Sequence, residues 1–353
     1  MTTRPFLGAR LEEGVMNLVN RRLRKRGWTE SIIPYTGYGT PDQVRVLGRA
    51  VLRPAEPTTT LGLVAEAVLT RRGWRNFLLA PIPRAQVSVE VGGRRIAMRA
   101  DRAGYLDVRM KQPGLPPGWG EVTITADGSN EQVAAPVVVV DADETFGIVS
   151  DIDDTVISTF LPRLFIAAWN TFVLTEQARE AVPGMARMYQ QLLADHPGSP
   201  VIYVSTGAWN TYPFLLRFLG RHGFPRGPLL LTDWGPTNTG WFRSGPEHKR
   251  TALRELARDF PDITWLLIGD DGQHDPRLYA EFAELQPEHV RAIAIRELTL
   301  AEQVLAHGMP MVLEDEQDLQ WTPDAAPEVR GADGDVLAPL LRGILTGTEA
   351  RQT

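Results

Sequence analysis

Residues 147–156 read GIVSDIDDTV, and this stretch decides the fold because a short apolar run leads directly into three carboxylates. The apolar residues predict a buried strand, with Asp151 and Asp153 just beyond its carboxyl end. In open α/β sheets, ligands bind in the crevice outside the carboxyl ends of the strands. Neighbouring carboxylates repel each other, and a divalent metal ion or a retained proton relieves that repulsion. The stretch therefore predicts an acidic loop suited to chemistry.

Simpler interpretations of the same acids exist. Asp154 or Thr155 could cap the start of a helix, since both residue types accept hydrogen bonds from the first free amides. An acidic surface turn is a second possibility, although the stretch has apolar residues on both sides. A calcium loop of the EF-hand kind is excluded, because Val156 and Pro162 stand where that loop needs Gly and Glu.

Length and composition bound the class of protein. A length of 353 residues predicts two domains. The absence of cysteine from the sequence excludes disulfides and thiolate metal sites. No apolar run approaches the roughly 20 residues of a membrane-spanning helix, and residues 1–9 lack the apolar core of a secretory signal. The net charge of -6 argues against a nucleic-acid partner. A cytoplasmic location is the simplest expectation.

Residues 1–30 form the first of four predicted segments, a basic amphipathic helix. The apolar residues that recur at helical spacing are Leu11, Val15, Leu18 and Val19. A basic cluster follows them and contains Arg21, Arg22, Arg24, Lys25 and Arg26. Such a helix can lie on an anionic membrane. It can equally pack on its own domain and leave its basic end in solvent.

Residues 31–143 predict a small, mainly antiparallel β domain resembling a sandwich. Short runs of alternating apolar and polar residues are separated by turn signals such as Gly92-Gly93. No catalytic group of residues stands out in this segment. Its expected role is structural, or recognition of a partner.

Residues 144–313 alternate between strands and helices, which predicts an α/β domain with a parallel sheet covered on both faces. Residues 314–353 are rich in Asp, Pro, Ala and Gly and predict a partly disordered tail with one helix over 337–345. The predicted strands of the α/β domain are 147–150, 201–204, 229–231, 265–268 and 290–295, and its predicted helices are 185–194, 212–221, 248–259 and 276–285.

Two further strand ends carry residues suited to phosphate and metal. The second predicted strand leads into Ser205 and Thr206, whose hydroxyls and amides can bind phosphate oxygens. The fourth leads into Asp270 and Asp271, with Asp275 shortly after, and Lys249 near the start of a helix adds a positive charge.

These residues fit the requirements of phosphoryl transfer. Asp151 would attack phosphorus to form an aspartyl-phosphate, and Asp153 would protonate the leaving alcohol and then activate water. Mg²⁺ would be held by Asp151, the backbone carbonyl of Asp153 and Asp270. Supporting residues are assigned as follows: Ser205, Thr206 and Lys249 bind the phosphate, Thr155 supports the loop, and Asp271 or Asp275 supports the metal indirectly.

The motifs DIDDT at 151–155, Ser205, Lys249 and GDD at 269–271 resemble the four ordered motifs of haloacid dehalogenase (HAD) superfamily phosphatases. More narrowly, YVS at 203–205 with Trp209, HK at 248–249 and IGDDGQHDP at 268–276 are similar to the actin-patch phosphatidate phosphatase family. The resemblance implies a HAD-like Rossmannoid sheet and Mg²⁺-dependent hydrolysis of phosphatidate to diacylglycerol.

Residues 155–183 are too few for a large cap domain, so the resemblance implies a minimal cap and an open site. The apolar run 160–169 could face a bilayer or pack against the β domain. A phospholipid at a membrane surface is the expected substrate, with a cytoplasmic protein that associates peripherally. Two alternatives stay open, namely a phosphatase of soluble phosphomonoesters or phosphoproteins, and a metal-holding binding module without turnover.

Overall fold

The computed structural model describes residues 7–54, 79–129, 131–158, 179–232, 245–272, 274–299, 302–303 and 326–346. The chain divides into two compact units. The first comprises residues 1–142, 208–210 and 233–244, and the second comprises residues 143–207, 211–232 and 245–353. The apolar run 160–169 and the rest of the expected cap up to residue 178 lie outside the described residues.

The first unit contains a helix and one hydrogen-bonded sheet of eight strands. The elements are α1 (Leu7–Lys25), β1 (Thr29–Gly39), β2 (Gln43–Arg53), β3 (Ala80–Pro81), β4 (Gln86–Val91), β5 (Arg94–Arg99), β6 (Tyr105–Lys111), β7 (Gly118–Ala126) and β8 (Gln132–Val139). The strand order in the sheet is β3-β2-β1-β8-β7-β4-β5, with β6 paired to β2. Most pairings are antiparallel, as alternation of apolar and polar residues predicts, but β1 and β8 run parallel.

The core of this unit is made by the apolar residues that alternate along the strands. Val87, Val89 and Val91 of β4 are buried while Glu90 between them is exposed. The two-residue turn at Gly92-Gly93 joins β4 to β5, with positive φ angles of 55° and 74° that suit glycine. The predicted hairpin is therefore confirmed.

In the described part of the second unit, the strands are β9 (Phe146–Ser150), β10 (Ile157–Ser158), β11 (Glu180–Ala181), β12 (Val201–Ala208), β13 (Leu229–Thr232), β14 (Thr264–Asp270), β15 (Val290–Arg296) and β16 (Glu328–Gly331). The α-helices described there are α2 (Met185–Asp195), α3 (Tyr212–Arg221), α4 (Gly245–Asp259), α5 (Asp275–Leu285) and α6 (Gly334–Leu345). Six strands form one sheet in the order β13-β12-β9-β14-β15-β16, and β10 pairs with β11. The pairings of β9 with β12 and β14, and of β15 with β14 and β16, are parallel.

The predicted strand and helix order of this α/β unit is confirmed, and α3 has the predicted bounds. Other predicted elements extend by one to four residues at one or both ends. One extension matters for the site, because β12 continues to Ala208 and Ser205 lies within the strand, whereas the sequence predicted it just after the strand.

The C-terminal residues contain the predicted helix, which spans Gly334–Leu345, and they add a strand that the tail prediction missed. Residues Glu328–Gly331 form β16, which pairs in parallel with β15 at the edge of the sheet. α6 follows, and the Asp333 side chain caps it by accepting hydrogen bonds from the amides of Asp335 and Val336. A four-residue strand with one large apolar residue gives little sequence signal, since its partner strand supplies the pairing. No helix in the described part of the chain is long and apolar enough to cross a bilayer.

Candidate active site

The acidic loop, residues 151–156, joins β9 to β10 in a tight turn. Its backbone closes on itself through hydrogen bonds from the amides of Val156 and Ile157 to the carbonyl of Ile152, at 2.9 and 3.0 Å. Asp154 lies at the turn with a φ of 60°, in the left-handed region that Asp tolerates better than most residues. The Asp154 amide donates to the carbonyl of Ile157 at 2.9 Å. This turn leaves Asp151 directly at the carboxyl end of β9.

Arg296, the last residue of β15, ties the acidic loop to the next acidic strand end. Its guanidinium is 4% exposed and donates to the carbonyl of Asp154 at 2.6 Å. Its own backbone carbonyl accepts from the amide of Asp271 at 3.0 Å. It also donates to the carbonyl of Ala332 and to Glu302. No motif in the sequence singles out this residue, because the loop carbonyl that it binds lies 142 residues away along the chain.

Three buried acids form what we call the acid cluster, namely Asp151, Asp270 and Asp275. Each offers a carboxylate oxygen, and these oxygens lie within 4.8 Å of one another. Asp151 and Asp270 are placed by neighbouring parallel strands, β9 and β14, while Asp275 begins α5. The amide of Gly272 donates to Oδ1 of Asp270 at 2.7 Å, which fixes that carboxylate. Oxygen ligands at this spacing suit a hard divalent cation.

Lys249 supplies the positive charge inside this cluster. It lies on α4, is 5% exposed, and its Nζ is 2.6 Å from Oδ1 of Asp151 and 2.5 Å from Oδ1 of Asp275. Three carboxylates and one ammonium leave a net charge of −2 if all are ionised (−3 + 1). A bound divalent cation would bring that sum to zero.

Burial and like charges act on the protonation of these groups. Burial raises the pKa of Asp151 well above its usual range, and the charges of Asp275 and Asp153 add to that rise while Lys249 opposes it. Burial, with the charges of Asp275 and Asp151, also raises the pKa of Asp270. Burial alone would lower the pKa of Lys249, but the charges of Asp151 and Asp275 outweigh it and the pKa rises. Asp151 and Asp270 therefore keep their protons to a higher pH than free carboxyl groups do, and a bound cation would compete with those protons.

Asp153 points to a different neighbour. Its Oδ2 accepts a hydrogen bond from the Ser205 hydroxyl at 2.9 Å, and that hydroxyl also accepts from the amide of Gly207 at 2.8 Å. Ser205 is almost fully buried whereas Asp153 is half-buried. The pair leaves one partly exposed carboxyl beside the cluster, which suits a group that exchanges protons with substrate and water.

The remaining predicted residues lie at varied distances from the cluster. Thr155 is buried and its hydroxyl donates to Oδ2 of Asp151 at 3.4 Å. Thr206 is half-buried and its backbone carbonyl accepts from Thr232 at 2.7 Å. Asp271 uses its Oδ1 to accept from the amide of Leu298 at 2.8 Å. Of the two acids considered as metal supports, Asp275 belongs to the cluster and Asp271 contacts the segment after β15.

Two further residues shape the site: Gly269, which belongs to the GDD motif but has no assigned role in it, and Arg179, which no motif includes. A Cβ on Gly269 would lie 2.5 Å from Oδ2 of Asp275 and 2.8 Å from the ring of Tyr279, so only glycine permits this approach. The guanidinium carbon of Arg179 lies 5.0 Å from the centre of the Phe214 ring. Burial lowers the pKa of Arg179, while the charge of Asp153 opposes that shift, so this cation lies within the electrostatic influence of the acidic loop.

The chain matches a family model and known proteins. Residues 146–297 match the family model described as phosphatidate phosphatase APP1, catalytic domain. Phosphatidate phosphatase APP1 of Saccharomyces cerevisiae is 26% identical over 256 residues, which cover 67% of this chain and 42% of that protein. An uncharacterized protein of Schizosaccharomyces pombe is 26% identical over 185 residues, covering 50% of this chain and 30% of that protein. The chain thus spans less than half the length of these relatives.

Among solved structures, the HAD domain of effector protein Lem4 from Legionella pneumophila matches 48% of this chain and 89% of that domain. The sequence identity is 14% and the TM-score is 0.30, which is too low to establish a shared fold.

Proposed function

We propose, on the premise that residues 146–297 belong to the family of APP1 catalytic domains, that this protein is a Mg²⁺-dependent phosphatase that converts phosphatidate into diacylglycerol and phosphate. The observation that carries the proposal is the acid cluster with its single lysine at the carboxyl ends of parallel strands. The name of the yeast relative supplies the substrate class. A HAD-like arrangement of the second unit, with a minimal cap, is part of the same proposal.

The cluster fits a divalent cation. Among the described residues, Oδ2 of Asp270 and Oδ2 of Asp275 are buried and accept no hydrogen bond. A buried carboxylate oxygen without a donor is costly, and a metal ion would satisfy it. Asp151, Asp270 and Asp275 would hold Mg²⁺, together with the backbone carbonyl of Asp153. When bound, Mg²⁺ would neutralise charge on the phosphate oxygens.

In the first proposed step, a carboxylate oxygen of Asp151 attacks phosphorus while the bond from phosphorus to the glycerol oxygen breaks. Asp153 gives its proton to that oxygen, so diacylglycerol leaves as a neutral alcohol. The hydrogen bond from Ser205 orients the Asp153 carboxyl for this transfer. The product is a phosphate group bound to Asp151.

In the second step, Asp153 is a carboxylate and takes a proton from water. The water oxygen attacks phosphorus, the bond from phosphorus to Asp151 breaks, and inorganic phosphate leaves. Both residues return to their starting forms. Lys249 stays beside Asp151 and would stabilise negative charge on the transferring group throughout.

Phosphate release from phosphatidate in mixed micelles, with and without Mg²⁺, tests the proposal. Asp151→Asn should abolish release, and Asp153→Asn should slow it about 10²- to 10⁴-fold. Asp195→Asn changes an exposed acid at the end of α2 and controls for the acid-to-amide substitution. Release from glycerol 3-phosphate but not from phosphatidate would replace the lipid by a soluble substrate. Magnesium binding without any release would indicate a binding module.

A matched pair of variants tests the ligand assignment. Asp275→Asn should weaken Mg²⁺ binding, because a carboxylate oxygen of the cluster is lost. Asp271→Asn should leave binding nearly unchanged, since an amide oxygen can still accept from Leu298. Isothermal titration with Mg²⁺ measures both, and equal losses would contradict the assignment.

A further inference from the structure

We propose that the outward face of α1, formed by Val15, Leu18 and Val19 with Arg22 and Lys25 after them, binds the surface of an anionic lipid bilayer. This inference concerns the first unit and goes beyond the proposed chemistry of the second. It names the surface that would bring the protein to a membrane.

The opposite face of α1 is already used for packing. Asn20 is 1% exposed and its side-chain amide donates to the carbonyl of Pro81 at 2.8 Å. Glu13 accepts from Arg84 at 2.7 Å and lies 3.5 Å from Arg102. Leu23 packs against the core of the sheet. These contacts fix the rotation of the helix, so its other side is held outward.

The outward face exposes apolar side chains that a packed helix would normally bury. Val15 is 62% exposed, Leu18 is 58% exposed and Val19 is 40% exposed. At about 100° per residue, these positions project away from Asn20. Single exposed apolar residues are ordinary, but three within two turns of one helix form a patch.

The charge around this patch favours an anionic partner. The helix carries two acids, Glu12 and Glu13, and Glu13 is bound by the arginines on the inward side. Five basic residues follow the apolar patch directly and are exposed: Arg21, Arg22, Arg24, Lys25 and Arg26. The whole chain has a net charge of -6, so this positive end is a local feature. An amphipathic helix with aliphatic and basic residues on its outer side lies in the interface of anionic membranes.

A second copy of the chain fits this face less well. A stable dimer interface buries about 800 Å² on each partner, which three aliphatic side chains cannot supply. The basic residues would add like charges to a symmetric contact. A bilayer needs no such matching surface, because acyl chains accept small apolar groups while headgroups accept the cations.

Vesicle co-sedimentation of the full chain tests the inference. Vesicles of phosphatidylcholine with one quarter phosphatidylglycerol contain no phosphatidate, so binding does not depend on the proposed phosphatase activity. We expect the protein to bind these vesicles and to bind pure phosphatidylcholine at least tenfold more weakly. Absence of binding to the anionic vesicles would overturn the inference.

Variants locate the surface. V15Q/L18Q and, separately, R22Q/K25Q should each reduce binding at least tenfold, since each basic residue near an anionic surface contributes about fivefold. L285Q is the matched control, because Leu285 is 66% exposed in the second unit. Unchanged binding by V15Q/L18Q, or an equal loss in L285Q, would contradict the assignment. The assignment would also be contradicted if sedimentation velocity showed a wild-type dimer that V15Q/L18Q converts to a monomer without losing vesicle binding.

Discussion

Replacing Lys249 by Met tests whether the acid cluster depends on its one ammonium. The Nζ of Lys249 lies 2.6 Å from Asp151 and 2.5 Å from Asp275, and all three side chains are buried. At an effective dielectric constant of about 20, each contact corresponds to roughly 6 kcal/mol of Coulomb attraction. Part of that attraction is offset by desolvation, and the acids can take up protons instead. Removing one partner of such a buried pair costs about 3–5 kcal/mol.

The assay must report on the second unit alone. Native-state hydrogen exchange at the amides of β14 does so, because these residues lie in the centre of its sheet. We expect Lys249→Met to lower the free energy of opening by about 3–5 kcal/mol at pH 7.5, without Mg²⁺. The free energy of opening lost in Lys249→Met should become smaller by up to about 1.4 kcal/mol for each unit by which the pH is lowered, because the acids are protonated more easily.

Arg250→Met is the matched control on the same helix. Arg250 pairs with Glu281 at 2.8 Å, but the two side chains are 27% and 35% exposed. Exposed pairs of this kind contribute about 0–1 kcal/mol. Equal effects of Lys249→Met and Arg250→Met, or an effect of Lys249→Met that does not depend on pH, would refute the account of the cluster.

Three further predictions follow from the site. Arg296→Met removes the hydrogen bond to the Asp154 carbonyl. Because the acidic loop would then shift, kcat should fall about 10- to 100-fold while KM changes little. Arg296→Lys should restore part of the lost kcat. Gly269→Ala places a Cβ against Asp275 and should weaken Mg²⁺ binding about 10- to 100-fold in a titration, whereas Gly220→Ala meets nothing within 4 Å and should bind normally. In the folded protein without metal, Asp151 and Asp270 keep protons that the unfolded chain releases above a pH of about 4, because their pKa values are raised. The stability of the metal-free protein should therefore fall as the pH rises from about 4 through these raised pKa values. Since Mg²⁺ competes with the protons, its thermal stabilisation of the protein should be larger at pH 7.5 than at pH 5. Equal stabilisation at the two pH values would contradict the protonation of the cluster.

The order of elements around the site was predictable because each depends on local sequence. Residues 147–150 and 264–270 are apolar runs that end in acids, and such runs identify buried strands whatever the rest of the chain does. Parallel strands bring their carboxyl ends to one edge, so proximity of Asp151 and Asp270 followed from the strands alone.

The sequence places Asp275 only among the supporting residues and does not identify Arg296 or β16, because these features depend on tertiary contacts. Asp275 reaches the cluster because Gly269 has no side chain and α5 begins close to β14, which are features of tertiary packing. Arg296 lies 142 residues from the carbonyl of Asp154 that it binds. β16 likewise depends on its partner strand, since four residues with one large apolar side chain do not specify a strand.

The most direct test of the central claim follows the phosphate group itself. Phosphatidate labelled with ³²P in its headgroup is mixed with the enzyme and Mg²⁺, quenched in acid within one turnover, and the labelled peptide is identified after digestion. We predict label on Asp151 that hydroxylamine removes, and no label in Asp151→Asn. Rapid release of labelled phosphate without any label on Asp151, or equal labelling of Asp151→Asn, would contradict the proposed nucleophile.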